Sequence, residues 1–449
     1  MGMTWDLVLR SRRTVLPGGE RAAAVVVKGG AIAEIAPYAA RISALEDRDL
    51  GDLALLPGIV DTHVHVNEPG RTAWEGFASA TRAAALGGVT TIIDMPLNSL
   101  PPTLSAAALA VKRTSAETQV RVDVGFWGGL VPGNAGELPA LHEQGVYGFK
   151  CFLADSGVPE FPPVGVAEME EAMRVIAGLD SLLIVHAEDA ETLERAPARP
   201  GPRYADFVAS RPPEAETKAI DGVIEAARRT GARAHILHLA SSAALPLIAR
   251  AKAEGVRITA ETCPHYLTFG AESIPDGATD HKCCPPIRGE ADRERLWAAL
   301  ADGLIDCVVS DHSPCPKELK RFDTGDFARA WGGIASLQLG LSAVWTGARI
   351  RGHTLADVAD WMAKRTAGLA GLPAKGRIAV GCDADLVVFD PDRRTTVDAG
   401  RLAHKNPVTP YDGMDLYGAV EMTYLAGRPV DVEDTAAPSG RLLTKGTDR

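Results

Sequence analysis

The chain has 449 residues, 46% hydrophobic and 23% charged, which suits a soluble globular protein with one large domain and a smaller one. A net charge of −11 argues against nucleic acid or an anionic membrane surface as the main partner, because both require a basic face. The absence of a signal-peptide core, of any run near the ~18 apolar residues of a membrane span, and of CxxC pairs predicts a cytoplasmic protein with reduced thiols.

Short strands are predicted at both ends of the chain, where apolar and β-branched runs are separated by turn residues such as Gly29 and Gly30. The N-terminal candidates are Asp6–Leu9, Ala24–Val27 and Ala31–Ile35. The C-terminal candidates are Arg377–Val380, Ala384–Phe389 and Glu421–Arg428. Strands from both ends predict one small β-sandwich domain, made of residues 1–56 and 375–449.

Between these ends, residues 57–374 alternate strand-like apolar runs with stretches of helical length such as Ala167–Leu179 and Thr217–Thr230. The eight strand candidates are Gly58–His65, Thr90–Asp94, Val122–Phe126, Tyr147–Phe152, Leu182–His186, His235–Leu239, Val256–Glu261 and Cys307–Asp311. Repeated βα units imply a parallel sheet, and eight of them imply a closed barrel. The predicted fold class is therefore α/β, a (β/α)8 TIM-like barrel with the small β-sandwich domain.

Polar residues of metal-binding type occupy the ends of these strands, where barrels of this type have their active sites. His63 and His65 end the first strand, and at a spacing of i, i+2 both point to one face, so one ion can bind both. The other candidates lie in or at the end of later strands: Lys150 in the fourth, His186 in the fifth, His238 in the sixth and Asp311 in the eighth.

Each of these residues has an ordinary structural alternative. A single buried histidine is more often a hydrogen-bonded core residue than a ligand, and Asp311 can cap a turn. Lys150 can reach outward to solvent, or it can be modified to carry a carboxylate, because burying an ammonium group is costly. Their shared position at the strand ends favours a metal centre over six independent coincidences.

The run DTHVH at 61–65, the strand lysine, the two later histidines and the final aspartate resemble the amidohydrolase superfamily. Within it they resemble the cyclic-amidase branch of dihydroorotases, dihydropyrimidinases (hydantoinases) and allantoinases, and the similarity extends to Gly381–Asp390. This resemblance implies that Lys150 is carbamylated and bridges two divalent metal ions. It further implies that His63, His65 and Asp311 bind the first ion and that His186 and His238 bind the second. By the same analogy the protein is expected to be a homotetramer.

Such a site suits amide hydrolysis. Metal coordination lowers the pKa of water from ~16 toward ~7, and the ions also polarise the carbonyl that is attacked. Asp311 would accept the proton of the attacking hydroxide and deliver it to the leaving ring nitrogen. Zinc is the expected metal for mixed histidine and carboxylate ligands, with manganese, cobalt and iron left open.

Three positions bear on which ring is opened. Dihydroorotases carry an arginine two residues after the HxH pair, whereas this chain has Asn67, whose amide cannot form a bidentate ion pair with a substrate carboxylate. Arg71 is a candidate substitute from a loop. Dihydropyrimidinases usually carry an oxyanion-donating tyrosine five residues after the lysine, but the residue here is Asp155, which only accepts hydrogen bonds when ionised.

Four longer runs resemble allantoinases: Asn67–Phe77, Asp94–Ser99, Gly148–Phe152 with Ser156, Gly157 and Glu160–Pro162, and Trp331–Ser336. By this resemblance Asn98 faces a carbonyl of the substrate, while Ser313 and backbone groups near Cys284 and Gly332 hold the hydantoin ring. Plain turn chemistry is an equal alternative for Asn98 and Ser313.

Allantoin is small, neutral and rich in amides, so its pocket should lack a strong cationic clamp. The resemblance thus implies hydrolysis of the ring amide of allantoin to allantoate in purine (ureide) catabolism. The alternatives are a hydantoinase or dihydropyrimidinase of broad specificity, or a non-catalytic scaffold relative. A scaffold that has lost metal ligands is disfavoured, since all six ligand positions are filled.

Overall fold

A computed structural model describes residues 4–197, 199–433 and 437–446 of the chain. It begins with five strands: β1 (Trp5–Leu16), β2 (Gly19–Lys28), β3 (Ala31–Ala36), β4 (Ala44–Asp49) and β5 (Ala54–Pro57). β1 pairs antiparallel with β2, and β2 pairs antiparallel with β3. The three N-terminal strands predicted from the sequence are confirmed and are longer than predicted.

The middle of the chain supplies parallel strands: β6 (Ile59–Val64), β7 (Val89–Asp94), β8 (Asp123–Phe126), β9 (Gly128–Gly129), β10 (Phe149–Phe152), β11 (Leu182–His186), β12 (Arg233–Ile236), β13 (Ile258–Thr262) and β14 (Cys307–Val308). β6 to β8 form one parallel sheet, and β9 to β14 form another. Only Trp127 separates β8 from β9, so one stretch of chain serves both sheets. His312, just after β14, forms a parallel bridge to Val64 of β6. The predicted (β/α)8 barrel is confirmed.

Helices follow most of these strands: α1 (Phe77–Leu86), α2 (Ala106–Ala116), α3 (Leu138–Glu143), α4 (Val166–Gly178), α5 (Ala190–Arg195), α6 (Tyr204–Ala209), α7 (Pro213–Thr230), α8 (Leu245–Ala253), α9 (Pro264–Thr268), α10 (Glu290–Ala301), α11 (Gly340–Ile350), α12 (Leu355–Ala359) and α13 (Arg365–Ala370). A π-helical turn, Asp360–Lys364, joins the last two. The described residues contain no helix of the length and apolarity needed to cross a membrane.

Both helices predicted from the sequence are present, as α4 and α7. Helix α7 begins four residues before the predicted Thr217, because Pro213 suits the first turn of a helix. Arginines occupy its last turn, where they complement the helix dipole, and Gly231 ends it in the left-handed conformation at φ 69°.

Three C-terminal strands complete the first sheet: β15 (Leu386–Thr396), β16 (Asp415–Leu425) and β17 (Arg428–Pro429). The strand order is β17-β16-β15-β5-β1-β2-β3, with β4 on the side of β1, so one eight-stranded sheet contains strands from both chain ends, as predicted. The predicted strand Arg377–Val380 is wrong, since these residues form turns and irregular backbone. The predicted strand Glu421–Arg428 is divided by a turn at Ala426 and Gly427.

Two barrel strands end earlier than predicted. β12 ends at Ile236 and β14 at Val308, so His238 and Asp311 lie just beyond regular strand. Both adopt left-handed backbone conformations, with φ of 36° and 45°. A strand cannot continue through such a residue, which explains the difference.

A buried ion cluster connects barrel strand β8 with the segment that precedes β15. Lys375 Nζ lies 2.9 Å from Asp123 Oδ2 and 2.6 Å from Asp385 Oδ2, and the lysine side chain is 3% exposed. The end of the described chain also reaches β8, where Leu443 N donates to Val124 O at 2.8 Å. The cluster and this terminal segment therefore tie the C-terminal part of the chain to the barrel.

Replacing Lys375 with Met should leave the buried carboxylate of Asp385 without a counter-charge and leave Asp123 paired only with the largely exposed Arg441. We expect a loss of about 3–5 kcal/mol in the free energy of unfolding, measured by denaturant titration. The control is Arg12→Ala, which removes the cation of an ion pair whose side chains are 54% and 83% exposed and should change stability little. Equal effects of the two substitutions would contradict a structural role for the cluster.

Candidate metal centre

The first group of predicted ligands meets at the carboxyl end of β6. His63 Nε2 lies 3.1 Å from Asp311 Oδ1, and His65 Nε2 lies 3.8 Å from the same oxygen. The ligand atoms of these three buried residues are all within 4.8 Å of one another. Two imidazoles and a carboxylate at such distances can converge on one divalent ion.

The second group is formed by His186, the last residue of β11, and His238, which lies just beyond β12. His186 Nδ1 and His238 Nε2 lie 3.0 Å apart, so each directs a ring nitrogen into the same space. The ring of Phe152 stacks on His186 at 4.6 Å between centroids, which limits rotation of the imidazole. These two nitrogens are the ligand atoms available to a second ion.

Lys150 on β10 lies beside both groups. Its Nζ is 3.4 Å from His63 Nε2, and the residue is buried. Burial lowers the pKa of Lys150, against the opposing effects of Asp311 and Glu261, and burial raises the pKa of Asp311. A lowered pKa favours the neutral amine, which is the nucleophilic form needed for carbamylation.

Two buried carboxylates, which the sequence-based prediction did not assign to the site, orient the histidines. Glu261 Oε1 lies 2.5 Å from His63 Nδ1, and Glu188 Oε2 lies 2.8 Å from His186 Nε2. An ionised carboxylate only accepts, so each imidazole donates at that nitrogen and keeps a lone pair on the other. The spacing of His186 and Glu188, i and i+2 on one face, was an available signal, whereas Glu261 had none beyond its place at the end of a strand.

The protonation state of the histidines suits metal binding. Burial lowers the pKa of His63, His65 and His238 well below the usual value, and the charge of Lys150 acts in the same direction. Neutral imidazole is the form that coordinates metal ions. The donor set, four histidines, an aspartate and a lysine able to carry a carboxylate, therefore fits divalent ions.

Left-handed backbone conformations are concentrated around this centre. Of seven non-glycine residues with positive φ in the described chain, four are Asn67 (65°), Asn98 (67°), His238 (36°) and Asp311 (45°). Such conformations cost about 1–3 kcal/mol each and persist where the surrounding structure enforces them, commonly at functional sites. Here they turn the backbone away from the strand direction at the mouth of the barrel.

A cavity of about 650 Å³ opens above the centre. Its lining contains five of the six predicted ligands and all four predicted substrate-contact residues, namely His65, Lys150, His186, His238, Asp311, Asn98, Ser313, Cys284 and Gly332. His63 lies beneath the lining and is fully buried. The fold thus brings together every site residue predicted from the sequence.

The cavity contains more basic side chains than the sequence analysis predicted. No strong cationic clamp was predicted, yet Arg211 and Lys282 line the cavity in addition to Lys150. Arg211 is paired with Glu188, and the acidic lining residues are Asp155, Glu194 and Asp311. The lining therefore carries as many acidic as basic side chains, a balance suited to a neutral molecule.

Asn67 and Arg71 do not line this cavity. Asn67 directs its Nδ2 toward Pro314 O at 3.4 Å. Arg71 Nη1 lies 2.5 Å from Glu160 Oε1 and donates to Asn98 O at 2.8 Å. Arg71 thus helps to hold the Asn98 loop and is not available to bind a substrate carboxylate. Arg71 therefore does not replace the arginine that dihydroorotases carry two residues after the HxH pair.

Replacing Glu261 or Glu188 with Gln should weaken divalent-metal affinity by about 10- to 100-fold, because an amide orients and polarises the imidazole less effectively than a carboxylate. Competition against a chromogenic chelator measures this without any substrate. Glu170→Gln, which alters an exposed ion pair with Arg229, is the matched control and should bind metal like the native chain. Native affinity in both site variants would show that these carboxylates do not orient ligands.

Comparison with known proteins bears out the resemblance seen in the sequence. The profile of the amidohydrolase family matches residues 54–430. An allantoinase from Streptomyces avermitilis is 56% identical, covering 98% of this chain and 99% of the relative, and one from Arabidopsis thaliana is 43% identical, covering 94% and 87%. Among solved structures, the L-hydantoinase (dihydropyrimidinase) from Arthrobacter aurescens superposes with a TM-score of 0.92 at 31% identity, covering 98% and 100%. The chain therefore belongs to the amidohydrolase family.

Proposed function

We propose that this protein is an allantoinase, which hydrolyses the ring amide of allantoin to give allantoate. The observation that carries the proposal is the near full-length similarity to curated allantoinases, at identities well above that of the superposed hydantoinase. A broad-specificity hydantoinase is the less supported alternative. A scaffold role is disfavoured because the ligand-type residues converge with their donor atoms directed inward.

The proposed cofactor is a pair of divalent ions, by expectation zinc, bridged by carbamylated Lys150. His63, His65 and Asp311 would hold one ion, and His186 and His238 the other. When bound, the ions supply an activated water and polarise the carbonyl that is attacked. The 3.4 Å separation of Lys150 Nζ from His63 Nε2, and the burial of the lysine, support a bridging position.

Asp311 is the proposed catalytic acid–base group. Its Oδ1 lies 3.1 Å from His63 Nε2, and the residue also lines the cavity, so the carboxylate lies between the ligand group and the space for substrate. From this position it can accept the proton of the attacking water and transfer it to the ring nitrogen as the C–N bond breaks. The same carboxylate thereby serves both halves of the hydrolysis.

Substrate contacts are proposed for Asn98, Ser313, Cys284 and Gly332. All four line the cavity, and Asn98 Nδ2 lies 3.4 Å from His65 Nδ1, so the amide is next to a proposed ligand. Amide, hydroxyl and backbone N–H groups pair with the carbonyl and N–H groups of a cyclic ureide at little cost, because they introduce no net charge. The charge balance of the lining favours such a neutral ring over a cyclic acid.

We propose that the chain is divided into a small domain, residues 1–56 and 375–449, and a barrel, residues 57–374. We propose a homotetramer by analogy with the family. A cytoplasmic location is supported by the seven cysteines, all of which are free thiols, as is usual in a reducing compartment.

The purified native chain should open allantoin, and a chelator should abolish this turnover until a divalent metal is restored. Parallel assays with hydantoin, dihydrouracil and dihydroorotate define the specificity, and we expect no turnover of the acid. Opening of dihydrouracil with allantoin untouched would reject the assignment. Fewer than one metal ion per chain, after expression with added metal and bicarbonate, would favour a scaffold.

Lys150→Ala should lose activity and most bound metal, because the bridging group disappears. A short carboxylic acid added to the variant should restore part of both, since it can occupy the vacated space as a carboxylate. Lys218→Ala, on the exposed face of α7, is the control, and the added acid should not change its activity or its metal content. Full activity in Lys150→Ala without added acid would remove the bridging role.

A further inference from the structure

Arg211 lies between α6 and α7, and one edge of its guanidinium is fixed by a buried carboxylate. Arg211 Nε and Nη2 donate to Glu188 Oε1 and Oε2 at 3.0 and 2.5 Å. The backbone oxygen of Arg211 accepts from Arg288 Nη1 at 2.6 Å. A bidentate pair of this kind sets the plane of the guanidinium as well as its position.

The other edge of the guanidinium is available to a ligand. Two of its five N–H groups are used by Glu188, and Nη1 makes no hydrogen bond to any described residue. The Arg211 side chain is 20% exposed and lines the cavity, whereas Glu188 is 0% exposed. The pair therefore presents only N–H donors to the cavity.

Charge determines which acceptor these donors favour. A lone arginine would prefer a carboxylate, but the charge of Arg211 is already compensated by Glu188 at hydrogen-bonding distance. A substrate anion would be repelled by Glu188, while a neutral carbonyl oxygen gains two directed hydrogen bonds without that repulsion. The chemistry points to a neutral, urea-like or amide carbonyl.

The position of this carbonyl follows from Glu188, which also accepts from His186 Nε2 at 2.8 Å. His186 Nδ1 in turn faces His238 Nε2. Arg211 is thus connected to the proposed ligand nitrogens through the carboxylate of Glu188 and the imidazole of His186. Arg211 and the proposed ligand histidines line the same cavity, so a ring whose scissile carbonyl lies at those nitrogens can direct a substituent toward Arg211.

We propose that Arg211 is a specificity-determining residue that binds the carbonyl oxygen of the substrate's ureido side chain. The inference rests on the proposed function, and it deepens it by separating recognition of the side chain from recognition of the ring. Hydantoin, which has the ring without the ureido group, cannot make this contact. Arg211 should therefore distinguish the two molecules.

The test compares Arg211→Lys with the native chain, using allantoin as substrate and hydantoin as a competitive inhibitor. Lysine keeps a charge for Glu188 but lacks the second donor edge, so KM for allantoin should rise about 10- to 100-fold, with kcat within about threefold. The inhibition constant of hydantoin should stay within about twofold. Arg203→Lys, in an exposed ion pair at the start of α6, is the matched control.

Equal changes for allantoin and hydantoin, or no change for either, would overturn the inference, because a merely structural role affects both ligands alike. A second arm needs only the native protein. 5-Guanidinohydantoin replaces the ureido carbonyl with a cationic group that cannot accept, and should bind at least about tenfold more weakly than allantoin. Equal binding would overturn the inference even if the variant failed to fold. Failure of the native chain to open allantoin would instead reject the proposed function.

Discussion

The hydrogen bonds between buried carboxylates and buried histidines are the interactions on which the rest of the site depends. Glu261 holds His63, and Glu188 holds His186, each through one ring nitrogen. In a low-dielectric interior an unpaired N–H donor is costly, so these contacts select the tautomer of His63 and His186 and direct the other nitrogen inward. Without them, His63 and His186 would lose the contacts that direct their free nitrogens toward a common point.

The barrel makes these contacts possible because it places the ends of distant strands side by side. His63 and Glu261 are far apart in sequence, yet β6 and β13 both point into the same mouth. The rigid strands also sustain left-handed backbone at His238 and Asp311, which an isolated peptide would avoid. At these two positions the strained backbone belongs to residues that leave the strands and face the cavity.

Glu188 connects the two chemical tasks of the cavity. One carboxylate orients His186 and, at the same time, pairs with Arg211, whose remaining donors face the space for substrate. This arrangement brings a cation into the cavity without leaving net positive charge there. The pairing of Arg211 with Glu188 therefore makes a cationic side chain in the lining compatible with a preference for a neutral ring.

The sequence by itself determined the barrel, the sheet built from both ends and the residues that converge at the barrel mouth, because strand periodicity and the His63–His65 spacing are local properties. Only the tertiary structure decided the ends of β12 and β14, the roles of Glu261 and Glu188, and the engagement of Arg71 with Glu160. These features depend on contacts between distant segments and on backbone conformations that no local pattern encodes. The sequence was sufficient to identify the ligand histidines, whereas their orientation depends on the tertiary structure.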